Sequence, residues 1–579
     1  MALLAINPAI GEGRPSVSDF TYEERIMVEK WMRISAVAGV AIIAFMVSAE
    51  RVAAQRLKPI PHAVGAPQSA ARTETAASQT RNPSPWTPLT NQPNFLLDGA
   101  ANPILLTDGS VLVQDAGFPD WWKLTPDQNG SYVNGTWTQV ASLPATYSPL
   151  YHSSAVLPDG RLIIEGGEYL LNLAQTQLIP TWTPQGSIYD PIADTWTPVA
   201  PPSFFSGFGK FPQTIGDAQS VVLANGTYMQ ANCCFTEQAL LDAKTLTWRP
   251  TGSNKFDIND EEGWTLLPNN KVLTVDAYVP VGIPYEPTGT NSEIYDPGTG
   301  SWSSAGSTIV QLWDSSAACG GENVASFELG PGVLRPDGTV FYTGSNSCQI
   351  SAGPPAVFAS GNTAIYNSGN GKWKAGPTFP GGVNIADGPA ALEPNGNVLM
   401  MASPGFGDSP SVFFEWDGHD LAEVPGTPNA PGDSSYFGNM LVLPTGQILL
   451  TDFSNDIEIY TPTPGYRPTW APVVLNCPFV VKRGASYQIS GLRFNGMSQG
   501  AAYGDDVQAA TNYPLVRITN LETGHVSYSR THDHSSMAVA SDDVVSTHFD
   551  VPAGQERGFS KLEVVANGIP SAPSFVFVK

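Results

Sequence analysis

LYHSSAVLPDGRLII, residues 150–164, sets an apolar run, an Asp-Gly pair and a second apolar run within 15 positions. Short apolar runs separated by a turn pair read as a hairpin of buried strands, because the turn breaks any helical period. The pattern returns as LLTDGSVLV, VLANGTYMQ, LLPNNKVLT, LRPDGTVFY, LEPNGNVLM and VLPTGQILL. The turn pairs begin at Asp108, Asp159, Asn225, Asn269, Asp337, Asn395 and Thr445, giving seven units spaced 44 to 68 residues apart. Such pairs predict type I′ turns, in which both central residues take positive φ.

A second element follows most hairpins: IYDPIADTW, LLDAKTLTW, IYDPGTGSW and IYNSGNGKW. In each, a tyrosine or leucine precedes a tryptophan by seven positions, from Tyr189 to Trp196, Leu241 to Trp248, Tyr295 to Trp302 and Tyr366 to Trp373. That adds a third strand, a turn and an outer fourth strand. Four-stranded units that cannot bury their faces alone are propeller blades. The chain therefore reads as all-β, with a seven-bladed β-propeller over residues 86–464 and tryptophans that pack between blades. Blade seven ends at IEIYTPTP without an outer strand, and SPWTPLT at 84–90 is expected to supply it and close the ring. From 465 to 579 the repeat gives way to short strands such as VVKRGASYQISGLRF and YPLVRITNLETGHVSYSR, which predict an immunoglobulin-like β-sandwich.

Composition supports this reading. Charged residues are 14% of the 579, against 56 Gly and 51 Pro, a turn-rich balance. A net charge of -24 argues against a nucleic-acid partner, which needs a basic face. Lys30 and Arg33 precede the apolar run ISAVAGVAIIAFMVSA at 34–49, so residues 1–54 read as a leader and signal peptide or a signal anchor. Residues 55–85, rich in Ala, Pro, Ser and Thr, read as a disordered linker. The folded part is expected to be exported, periplasmic or extracellular, and monomeric. In that compartment Cys319 with Cys348, or Cys233 with Cys234, are candidate disulfides, the alternative being buried thiols.

Tyr151 lies eight residues before its turn in YHSSAVLPDGR, and Tyr436 lies nine before its turn in SYFGNMLVLPTGQ. On these motifs the chain, over residues 86–579, resembles the galactose oxidase and glyoxal oxidase family, copper-radical enzymes built as a seven-bladed kelch propeller with an early-set immunoglobulin-like domain. The resemblance implies copper on the propeller axis, held by a cysteine-linked tyrosine, a Tyr-His pair from the last blade and a histidine from the C-terminal domain. Tyr151 takes the place of the radical tyrosine and Tyr436 that of the last-blade tyrosine. His532, in PLVRITNLETGHVSYSRTHDHS, takes that of the C-terminal histidine. Phe437 stands where the second last-blade ligand belongs, and Ala100 where the cysteine belongs. Cu(II) wants imidazole and phenolate donors, and phenylalanine supplies neither. Radical-copper oxidation is therefore expected to be lost. The alternative is a metal-dependent oxidase with an altered site, using Tyr151, Tyr436 and His532, with His152 as a further ligand.

The same register, eight to ten residues before each turn, holds Asp98, Asp217, Glu261 with Glu262, Glu328 and Asp387. If these line the axis, they form an acidic mouth suited to calcium or another divalent cation. The alternative is that they cap backbone N–H groups or pair with Arg517 or Arg530. The expected function is recognition of a glycan or cell-surface polymer at this mouth, with a purely structural or protein-interaction propeller as the third reading.

Overall fold

A computed structural model describes residues 84–93, 95, 99–171, 178–277, 289–313, 327–345, 361–405, 408–504 and 509–579. The leader, the linker, Asp98, Cys319 and Cys348 lie outside the described residues.

Seven antiparallel sheets of four strands each follow one another along the chain, and blade six carries a fifth strand. Their inner strands are Ala100–Leu105, Ser153–Val156, Ser220–Val222, Thr265–Leu266, Gly332–Leu334, Ala390–Leu392 and Asn439–Val442. All of these residues are buried. The ring closes as the sequence predicts: Trp86–Pro88 pairs with Glu458–Tyr460 as the outer strand of blade seven, Trp86 opposite Tyr460. Pro88, which lacks an N–H, is tolerated on that edge strand.

The hairpin turns differ from the type I′ expectation. Only the second residue of each pair is left-handed: the six glycines from Gly109 to Gly446, and Asn270, have φ between 65 and 94°, and the first residues do not. Gly109 N donates to the Leu106 carbonyl at 3.0 Å and Leu106 N to the Ser110 carbonyl at 2.8 Å. This is a type I turn followed by a left-handed residue. The first residue contributes its side chain instead, as where Asp108 Oδ1 accepts from Ser110 N at 2.9 Å and Asn225 Oδ1 from Thr227 N at 3.0 Å.

The recurring tryptophans staple neighbouring blades. Trp196 Nε1 donates to Ala141 O at 2.8 Å, Trp248 Nε1 to Ala200 O at 2.7 Å and Trp373 Nε1 to Ser292 Oγ at 2.9 Å, each reaching the preceding blade or the chain leaving it. Each indole is half-buried, and with its N–H satisfied it contributes both area and orientation.

The C-terminal strands run from Val473–Asn476 to Ser574–Val578. They enclose a separate core that includes Ile489, Val516, Ile518, Phe549, Leu562 and Val576, which makes a β-sandwich. It seats on the turn side of the propeller, where Arg530 Nη2 donates to Asp159 O at 2.7 Å and Met537 N to Ala224 O at 2.9 Å. From there residues 498–504 thread the axis. Gln499 Oε1 accepts from Leu266 N at 2.7 Å, and Ala501–Ala502 pairs with Ala390–Leu392 as the fifth strand of blade six. This delivers Tyr503 to the opposite mouth. Gly504 follows because a Cβ there would sit 2.4 Å from Asp387 Oδ1 and 2.7 Å from Leu329 O.

Candidate functional site

At the mouth the chain turns sharply before the inner strands of six blades, with positive φ at Gly99, Tyr151, Gly216, Glu261, Phe327 and Asp387. For tyrosine, glutamate, phenylalanine and aspartate this conformation costs about 1–3 kcal/mol each, a cost that concentrates at functional sites. The left-handed kinks face the bases of the strands toward one opening. The structure thereby brings Tyr151 and Tyr436 together, their ring centroids 5.0 Å apart and inclined at 36°. Tyr436 sits in a short 3-10 turn, Ser435–Phe437. Phe453 packs edge-on to Tyr151 at 6.1 Å and against Phe437 at 5.8 Å, so Phe437 belongs to an aromatic wall.

Several residues that the repeat does not reveal complete the site. Tyr169, on an excursion between the second and third strands of blade two, packs on Tyr151 at 6.1 Å. Tyr503 hydrogen-bonds through its hydroxyl to Tyr436 O at 2.7 Å and Asp387 Oδ2 at 3.1 Å, which ties blades six and seven to the threaded segment. Ser435 Oγ donates to Asp387 O at 2.9 Å. Burial raises the Tyr436 hydroxyl well above its ordinary value, and Tyr151, Tyr169, Glu168 and Tyr503 add to the effect. Tyr169 is raised by burial and then by Glu168, Tyr151 and Asp217. Both are neutral phenols that can donate a hydrogen bond.

The acidic register separates into three fates. Asp217 and Glu261 converge with Asp260, one carboxylate oxygen from each lying within 4.8 Å of the others. Ala218 bridges Asp260 across the boundary between blades three and four. Asp387 joins Tyr503, and Glu328 is buried next to Leu329, whose carbonyl lies against Gly504. Glu262 turns away from the mouth: its Oε1 lies 3.0 Å from Lys255 Nζ and its Oε2 accepts from Thr274 Oγ1 at 3.1 Å. Glu261 sits in the left-handed kink, φ 58°, and Glu262 beside it spends its carboxylate on Lys255 and Thr274, so only Glu261 is left to line the opening. Arg517 and Arg530 do not serve these acids. They hold Glu563 at 3.0 Å and Asp550 at 3.3 Å in the sandwich.

The histidines depart from expectation as well. His152 is buried in blade two, with Nε2 at 2.9 Å from Gln114 Oε1, and burial lowers it to about 4. His532 ends the strand Val526–His532 of the sandwich, among Asp533, Asp550 and His548, and it is Tyr503 that the C-terminal domain brings to Tyr436. His534 stacks on Tyr513 in the sandwich, and His419 lies in the turn between the third and fourth strands of blade six. The axial site therefore does not fit the copper centre of the family, because each described histidine lies elsewhere and Phe437 replaces the remaining imidazole. A vicinal disulfide joins Cys233 and Cys234, and Cys233 Sγ packs at Gly216 beside the acidic group.

These features define a seven-bladed β-propeller with a C-terminal β-sandwich. No family model matches the chain. The Kelch-like protein terF of Aspergillus terreus (strain NIH 2624 / FGSC A1156) is 26% identical over 207 residues, 33% of this chain and 39% of that protein. The chain thus spans well under half of that relative's length. Among solved structures, a fungal alcohol oxidase of the AA5 family in complex with copper is 14% identical, covering 86% of this chain and 99% of its own, with a TM-score of 0.45. A streptogramin B lyase is 11% identical, covering 65% and 96%, with a TM-score of 0.40. What those proteins bind or catalyse is a property of those proteins. Among the described residues no helix is long and apolar enough to cross a membrane.

Proposed function

We propose that this is an exported recognition propeller whose axial mouth binds a polyhydroxylated ligand, a glycan or cell-surface polymer, without copper-radical oxidation. The observation that carries the reading is the Tyr151 and Tyr436 ring pair, 5.0 Å apart, on the mouth that also holds Asp217, Asp260 and Glu261. A sugar offers an apolar C–H face and a rim of hydroxyls. Aromatic rings receive the first, and carboxylates accept the charge-assisted hydrogen bonds of the second. The same three carboxylates suit a hard divalent cation such as calcium, which would bridge sugar hydroxyls. Export is supported by the leader at 1–54 and by the Cys233–Cys234 disulfide, which suits an oxidising compartment.

Titration of the purified protein with a panel of soluble polysaccharides, with and without calcium, tests this. Tyr151→Ala and Glu261→Gln are each expected to weaken the best ligand at least tenfold, about 1.4 kcal/mol, with the unfolding midpoint held. Tyr151→Ala keeps a left-handed residue at a position that already tolerates one. Saturable binding that neither substitution changes would place recognition elsewhere on the protein.

A further inference from the structure

We propose that His532, His548 and Asp533 form a second metal site, on the C-terminal sandwich, for a borderline divalent transition ion of the zinc class. His532 and His548 are directly opposite on the paired strands Val526–His532 and Val545–Asp550, and their rings lie 5.6 Å apart at 21°. Thr531, Thr547 and Phe549 take the buried face of these strands, which leaves both imidazoles on the outer one. His532 Nδ1 is 2.8 Å from Asp533 Oδ2, and His548 Nδ1 is 3.9 Å from the same oxygen. One donor atom from each of the three residues lies within 4.8 Å of the others. Zinc bonds of roughly 2.0–2.1 Å place tetrahedral ligands about 3.4 Å apart, so these spacings bracket the edges of one coordination shell.

Two details favour a metal over a set of ion pairs. His548 Nδ1 is buried and has no hydrogen-bond partner, so the nitrogen facing Asp533 is left for a ligand to satisfy. On the far side of its ring, His532 presents Nε2 to Asp550 Oδ1 at 3.1 Å, and Asp550 is held in turn by Arg530 at 3.3 Å. A carboxylate behind a histidine fixes the ring and leaves the opposite nitrogen's lone pair for a metal. The Asp533 side chain is 64% exposed, which leaves the fourth position open to water or a further ligand. An ion here would tie two strands of the sandwich on the face that bears Gln488, Arg530 and Asp550. It is separate from the acidic mouth, so it stands whether or not the mouth binds a glycan.

The test is calorimetric titration of tag-free, chelator-treated full-length protein with zinc chloride. One saturable equivalent is expected that His548→Gln and Asp533→Asn each weaken at least tenfold, while His525→Gln leaves it unchanged. Asn is well tolerated at the left-handed Asp533 backbone, φ 51°, so Asp533→Asn is expected to remain folded. Cobalt(II) loading should give the intense visible bands of a low-coordinate site, lost in the same two variants. Zinc binding unaffected by both substitutions, or no saturable equivalent in the wild type, overturns the proposal.

Discussion

Lys255→Ala is expected to destabilise the propeller by about 3–5 kcal/mol, the scale on which removing one partner of a buried ion cluster leaves uncompensated charge. The Lys255 side chain is fully buried between blades three and four. Its Nζ contacts Asp257, lies 3.0 Å from Glu262 and 2.8 Å from Glu293, and is 3.7 Å from Asp276. The Trp302 ring lies 5.7 Å away. Burial alone would lower the lysine, but the surrounding carboxylates outweigh it and hold it well above its ordinary value. Four carboxylates around one ammonium cannot all stay charged. Burial first, and then Asp257, raise Glu262 and Asp276 well above the usual carboxylate range.

The sign of the pH dependence follows from those directions. A carboxyl whose folded value is raised contributes stability that is complete below its unfolded value and is lost as pH rises through the folded one. Glu262→Gln, which cannot titrate, removes its share of that fall, so this variant sheds stability less steeply than the wild type as pH rises. Denaturant unfolding at about pH 5 and about pH 8 checks this: a smaller difference between the two pH values is expected for Glu262→Gln than for the wild type, and an unchanged difference would contradict the cluster as described. The consequence reaches the mouth, because Glu262 is the neighbour of Glu261.

Trp86→Ala is expected to cost a further large amount, about 3–5 kcal/mol, the range for truncating a buried tryptophan. Trp86 is 5% exposed and packs edge-on to Phe413 and Tyr460, each at 4.9 Å. Its Nε1 donates to Pro425 O at 2.6 Å, at the end of blade six. It thus does for the closing blade what Trp196, Trp248 and Trp373 do within the ring, reaching from an outer strand to the preceding blade. Because that strand comes from the start of the propeller, the loss opens the ring itself. Trp86→Phe, which keeps much of the ring contact and strands one carbonyl, should cost nearer 1–3 kcal/mol. Chemical unfolding measures both, and a loss below about 1 kcal/mol for Trp86→Ala would show that the closure does not hold the ring.

The parts of this molecule that were legible in the sequence are those made of local, repeated chemistry. The hairpins, the tryptophan spacing and the role of residues 84–90 need only neighbours in the chain, and the tyrosine pair follows from placing two repeats in register. Glu261 and Glu262 could not be told apart, because one residue of phase decides which faces the opening. Tyr169 was missed because it sits on an excursion found in one blade. Tyr503 was missed because the threading segment is marked only by small residues, Gly500, Ala501, Ala502 and Gly504, whose smallness makes sense once another blade lies against them. His532 was misplaced for the converse reason: a matching motif put it on a strand of the right domain, and tertiary structure turned that strand's outer face away from the axis.

The central proposal is that the mouth bearing the Tyr151 and Tyr436 pair works without copper-radical chemistry. Copper loading of the purified protein, followed by measurement of peroxide release across a panel of alcohols and aldehydes, tests it most directly. The account predicts no copper-dependent peroxide and no copper whose binding depends on Tyr151 or Tyr436. One tightly held copper per chain, with turnover abolished by Tyr436→Phe, would contradict it.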